Sequence, residues 1–288
     1  MENPPSFFIF LFNVKENRLV LKIDIVEKVS PELSDPIVIC GLPGSALVGK
    51  LAVDHLIEEL PAQHMAEIYL DGLAPQVFIE SDGTVTGLNN DVFYWKSRVK
   101  GSPDLILYTA DAQPTVQESE YGLSEFVVNY FQSKFKAKEM ITLGAYVTGA
   151  FPKDPKVFVA ATEDSLVKEA ASKGCQVMTE GTITGMNGIL LGIAKLKGMR
   201  GYSLLGETSG YALDPKASEA LLRILERLIG VKVDMKELEE RAKEAEGVLQ
   251  SVEALRKQQQ QQQGPEAGEG LSDQANQNDE KKKLGYIS

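Results

Sequence analysis

The stretch Pro36–Leu60, PIVICGLPGSALVGKLAVDHLIEEL, sets the terms for everything around it. Its four opening apolar residues, Ile37–Cys40, are too few for a helix and are bounded by Pro36 and Gly41, so they read as a buried strand. Gly41-Leu-Pro-Gly44 then makes a turn that almost any side chain would obstruct. From Ser45 onward Leu47, Val48, Leu51, Ala52, Leu56 and Leu60 recur at helical spacing, with Lys50, Asp54, Glu58 and Glu59 as the polar remainder. Strand, glycine turn and helix form the first half of a βαβ unit. A helix starting at Ser45 would present unpaired amides and a partial positive charge, so the turn could hold an anion.

Within this stretch Gly44-x-x-x-x-Gly49-Lys50 copies most of a phosphate-binding loop. The full motif ends in Ser or Thr, whose hydroxyl holds magnesium, and that place is taken by Leu51. Ala46-Leu47-Val48 also has the look of a helix already packed on a sheet. The glycines therefore read first as structural. An enzymatic alternative keeps Lys50 as charge partner to a phosphate or nucleoside substrate, with Asp111, Glu180 or Glu207 as general base.

The flanking sequence alternates. Phe7–Val14 and Leu19–Val26 predict a hairpin about Lys15–Arg18. Glu67–Leu70, Gln76–Glu80 and Asp91–Lys96 predict short strands, with a tight turn at Ser81-Asp-Gly83. Asp104–Thr109 predicts a buried strand, and Leu123, Phe126, Val127, Tyr130 and Phe131 stripe a helix over Thr115–Lys136. Met140–Leu143 predicts a strand running into a second glycine turn, Gly144–Gly149. Further strands are expected at Val157–Ala160, Cys175–Met178 and Gly201–Leu205, with a helix capped by Thr162 and closed by Gly174. Glu180–Gly188 reads as a third glycine turn before the helix Ile189–Leu196. Asp214 and Pro215 open a last core helix that stops at Gly230.

This order predicts an α/β fold: a mostly parallel sheet with helices on both faces. Ligands of such folds sit at the carboxyl ends of the strands, where Gly41, Gly44, Lys50, Asp111, Gly185, Asn187, Gly188 and Glu207 would gather into a pocket. Short βα turns need glycine in any case, so the same residues also fit a purely structural role. The core domain is placed at 1–232. Residues 233–256, with Met235, Leu238, Ala242, Ala245, Leu249 and Val252 stepping by three and four, read as a coiled-coil-like helix that pairs with another copy or lies back on the core. Residues 257–288 read as a flexible tail, polar from Gln258 to Lys283 and closed by Leu284-Gly-Tyr-Ile-Ser288. Leu284, Tyr286, Ile287 and Ser288 are the candidate partner-binding residues: an apolar tip entering a pocket while the carboxylate meets a lysine or backbone amides.

A formal net charge of −11 disfavours nucleic acid and anionic membranes as partners. Phe7–Phe12 lacks a basic flank and is too short for a signal peptide or span, which places the protein in the cytoplasm. The two cysteines, Cys40 and Cys175, sit in apolar runs as buried thiols. With only His55 and His64 beside them, no metal site is expected, and no cofactor.

Four segments together, Gly41-Leu-Pro-Gly-Ser-Ala-Leu-Val-Gly-Lys50, Leu73-Ala-Pro-Gln76, Glu180–Gly188 and Leu204-Leu-Gly-Glu-Thr208, give the chain from roughly Pro36 to Leu238 its family likeness. It resembles the archaeal members of the proteasome assembly chaperone family. That resemblance implies an α/β core related to nucleoside phosphorylases and a homo-oligomer, a tetramer or pentamer, that works without ATP and is not an enzyme. It further implies C-terminal tails projecting towards the proteasome α subunits or another archaeal client. Members that dock there end in a hydrophobic-Tyr-any motif. Here Ile287 holds the next-to-last place and Tyr286 stands one residue earlier.

Overall fold

A computed structural model of the chain describes residues 7–11, 21–99, 101–245 and 247. In chain order it runs β1 (Phe7–Leu11), β2 (Lys22–Glu27), β3 (Ile37–Gly41), α1 (Val48–Glu59), β4 (Gln63–Leu70), β5 (Val77–Ile79), β6 (Val85–Gly87) and β7 (Asn90–Trp95). There follow β8 (Leu105–Ala110), α2 (Gln117–Phe135), β9 (Glu139–Val147), β10 (Val157–Ala161), α3 (Asp164–Ser172), β11 (Gln176–Val177), α4 (Gly185–Leu196), β12 (Arg200–Thr208) and α5 (Pro215–Ile229). Ten strands form one sheet in the order β1-β2-β4-β7-β8-β3-β9-β12-β10-β11, and β5 pairs with β6 as a separate hairpin.

The expected α/β architecture is present. Its parallel part is the centre, where β8, β3, β9 and β12 run side by side. One wing is antiparallel throughout, from β8 out through β7, β4 and β2 to β1; on the other side β10 is antiparallel to β12 and the short edge strand β11 is parallel to β10. Burial follows that division. LILYTA in β8 is buried along its whole length, as a strand covered on both faces must be. In β2 only Ile23 and Ile25 are buried, the alternation of a strand with one covered face.

Two cores lie on opposite sides of the sheet. One joins Ile39, Leu107, Ile141 and Leu204 to Val53 and Leu56 of α1, Leu166 of α3 and Leu221 and Leu225 of α5. The other joins Val38, Ile106, Tyr108 and Met140 to Leu123, Val127 and Phe131 of α2 and Met186 and Leu190 of α4. Cys40, Tyr108 and Met140 on the second face alternate with Ile39, Leu107 and Ile141 on the first, the period of a pleated strand. Met235 and Leu238 join the first core, so the described turns that follow α5 lie back on the body.

Several local expectations need correction. The helix after the glycine turn starts at Val48, not Ser45. Ser45–Leu47 is a single tight turn in which Ala46 and Leu47 both have left-handed backbone, with φ of 54° and 52°. Gly144 is no turn: β9 continues through it to Val147, and the left-handed glycine is Gly149. Thr162 does not cap α3. Glu163 takes that position, and the Thr162 hydroxyl accepts from the Gly201 amide at 3.0 Å. α4 opens at Gly185, so Gly185–Gly188 belong to the helix. Asp214 does cap α5 as expected, accepting from the Ala217 amide at 3.0 Å, with Gly230 closing the helix at φ 76°. The turn Lys15–Arg18, the far part of the 233–256 helix and the tail 257–288 with Leu284, Tyr286, Ile287 and Ser288 lie outside the described residues.

Candidate functional site

The carboxyl edge of the parallel strands is built around the turn leaving β3. An added Cβ at Gly41 would collide with the Gly49 carbonyl, and one at Gly49 would collide with the Leu143 carbonyl. These two glycines let α1 lie directly on β3 and β9. Gly49, the second glycine of the loop-like motif, thus serves helix-on-sheet contact. Ala46 and Leu47 hold a conformation that L-residues adopt at a cost of about 1 kcal/mol or more each. The surroundings keep them there: the Asp214 amide donates to Ala46 O at 3.1 Å, and the Leu47 amide to Gly44 O at 3.0 Å.

A residue not singled out in the sequence closes the other side. Gln113, in the link from β8 to α2, donates through Nε2 to Pro43 O and accepts at Oε1 from the Met186 amide at 2.9 Å. One side-chain amide therefore ties the glycine turn to the first turn of α4. A lone Gln between Ala112 and Pro114 carries no pattern that could have marked it. Gly185 beside it has φ 68°, and Gly188 leaves no room for a side chain against the Ile183 carbonyl. Asn187 is buried, donating Nδ2 to Leu143 O at 3.2 Å. Gly41, Gly44, Gly185, Asn187 and Gly188 therefore converge around Pro43, Gln113 and Leu143.

The charged candidates have partners of their own. Lys50 reaches Asp54 Oδ2 at 3.1 Å and the Thr109 hydroxyl at 3.4 Å, on the α1 side of the sheet. Asp111 accepts from the Asn89 amide at 3.1 Å, at the β7–β8 end. Glu207 accepts from the Lys156 amide at 3.2 Å, between β12 and β10. β8 and β12 are three strand positions apart, about 14 Å at the usual spacing, so Asp111 and Glu207 do not address one atom. Burial pushes the Cys40 thiol far up and the Cys175 thiol up to about 11, which disfavours a thiolate nucleophile at either. Among the described residues no helix is long and apolar enough to cross a membrane.

Against known proteins, the PAC2 family model matches residues 38–253. The Methanocaldococcus jannaschii protein MJ1210 is 32% identical over 233 residues, 81% of this chain and 87% of that one. Among solved structures, PbaB of Pyrococcus furiosus, described as an archaeal proteasome activator, is 40% identical with a TM-score of 0.76, covering 80% of this chain and 98% of its own. PbaA of the same organism, described as an archaeal homolog of proteasome-assembly chaperone, is 28% identical with a TM-score of 0.67, covering 83% and 97%.

Proposed function

The chain belongs to the PAC2 family, and on that premise we propose that it is an ATP-independent, homo-oligomeric chaperone or adaptor, a tetramer or pentamer, that engages proteasome α subunits or another client through its C-terminal tails. The observation that carries this reading is the 40% identity to a proteasome activator across nearly the whole of that protein. The glycine turn supports the ATP-independent part. Gly41 and Gly49 serve the close packing of α1 on β3 and β9, the Leu47 amide is spent on Gly44 O, and Lys50 is engaged with Asp54 and Thr109. A phosphate-cradling loop needs its amides and that lysine free.

In this reading the α/β body is a platform and Leu284, Tyr286, Ile287 and Ser288 make the grip. A few apolar side chains bind weakly alone. Several tails on one body raise the local concentration of tips, and with it the avidity, by orders of magnitude. The test is a pull-down from archaeal lysate with full-length protein and with a form lacking Tyr286–Ser288, read by mass spectrometry. We expect proteasome α subunits or another single client to be enriched by the full chain and at least tenfold less by the truncated one, with the oligomer mass otherwise unchanged. Equal capture by both forms would remove the tail from the mechanism.

A further inference from the structure

The wing of the sheet formed by β2, β4 and β7 has one face covered by α2; the side chains of its other face form a compact polar cluster. His64 and Glu67 come from β4 and Asp91 from β7, and one ligand atom from each lies within 4.8 Å of the other two. The cluster depends on an irregularity. Residues three apart on a strand face opposite sides, but the register slips between His64 and Ala66, and this bulge turns His64 to the side of Glu67 and of its cross-strand partner Asp91. The imidazole is held by stacking on Phe93, with ring centroids 4.6 Å apart.

A cation already sits there. Lys28 Nζ is 2.5 Å from Glu67 Oε1 and 3.0 Å from His64 Nδ1. An ammonium only donates, so Nδ1 is an acceptor with its lone pair directed at the lysine, and the ring proton is on Nε2. Nε2 stands 2.7 Å from Asp91 Oδ1 in a close but bent contact. Glu67 is braced in the same way, its second oxygen accepting from the Tyr69 hydroxyl at 3.1 Å. An imidazole backed by a carboxylate, beside a carboxylate backed by a phenol, is the outer-shell arrangement that orients metal ligands.

We propose that His64 Nδ1 and Glu67 Oε1 form a binding site for a divalent transition ion of the zinc type, which takes the place of the Lys28 ammonium while Asp91 and Tyr69 hold the two ligands in position. Mixed imidazole and carboxylate donors favour such ions over magnesium or calcium. Lys28, on a flexible and exposed stem, is the internal competitor: it fills the site without metal and swings out to solvent with it. The other imidazole and the two thiols are committed elsewhere. His55 Nε2 bonds to Asp234 O at 2.6 Å, and both cysteines are buried.

The chain has two histidines, which makes the test direct. Untagged, metal-stripped full-length protein is titrated with ZnCl2 while the imidazole resonances are followed by NMR and the heat by calorimetry. One ion per chain is expected, shifting the His64 signals and leaving those of His55 in place, with no response to MgCl2. Asp91→Asn should weaken binding about 10- to 100-fold, the usual consequence of removing such a backing group. Lys28→Met should tighten it, because the competitor is gone. A merely structural ion pair predicts no zinc-dependent shift of His64 in either the parent or Lys28→Met. Unmoved His64 signals under zinc, or zinc affinity unchanged or reduced in Lys28→Met, overturn the proposal. Should Asp91→Asn fail to fold, the Lys28→Met comparison at the exposed side chain decides alone.

Discussion

Gly49→Ala is expected to destabilise the protein by about 3 kcal/mol or more, the upper range for forced overpacking in a tight interior. The added methyl group would overlap the Leu143 carbonyl, which is backbone within β9 and cannot swing aside. α1 must then lift from the sheet, loosening Val48, Ala52, Val53 and Leu56 from their contacts with Ile39, Leu107 and Ile141. At about 2–4 °C per kcal/mol for a domain of this size, the melting temperature falls by at least roughly 6–12 °C. Gly192→Ala is the internal control. It lies on the exposed side of α4, where a Cβ meets nothing within 4 Å, and should be neutral or stabilising by about 0.5–1 kcal/mol. Similar melting of Gly49→Ala and the parent would refute the close-contact role of that glycine.

Phe131→Ala is the second large effect, about 3–5 kcal/mol. Phe131 is fully buried on α2, edge-on to Tyr108 of β8 at 6.1 Å between ring centroids and 5.6 Å from Tyr130. Its removal opens a cavity between helix and sheet, bordered by a β-strand that is itself rigid and buried. Tyr121→Ala, on the exposed side of the same helix, should change stability by no more than about 0.5 kcal/mol. Denaturant midpoints of the two variants give the comparison, and near-equal losses would mean that α2 does not hold the core as described.

The parts of the fold visible in the sequence are those with a strong period or a strong cap. The buried run of β8, the stripe Leu123–Phe131 and the Asp214–Pro215 helix start each express one local rule that tertiary contacts reinforce. What stayed hidden depends on residues distant in the chain. Ala46 and Leu47 are unremarkable letters with left-handed backbone, held by Asp214 and Gly44. Gly144 looked like a turn because glycine usually breaks strands; here β9 runs through it beside the close approach of Gly49. Gln113 has meaning only once Pro43 and Met186 face each other across it. The bulge that aims His64 leaves no mark in the sequence of β4, so nothing local singles that histidine out. Of the residues grouped as a pocket in the sequence, the Gly41–Gly44 turn is tied through Gln113 to the start of α4. Lys50, Asp111 and Glu207 bond to Asp54, the Asn89 amide and the Lys156 amide, contacts that depend on neighbours brought together only by the fold.

The most direct measurement mixes purified full-length protein with purified archaeal proteasome core particles in nucleotide-free buffer and follows co-elution on a sizing column, with the Tyr286–Ser288 deletion run in parallel. Co-elution without ATP, lost on deletion, is what a family platform gripping through its tails must give. Separate elution of the full-length protein, or association that appears only when ATP is added, would contradict it.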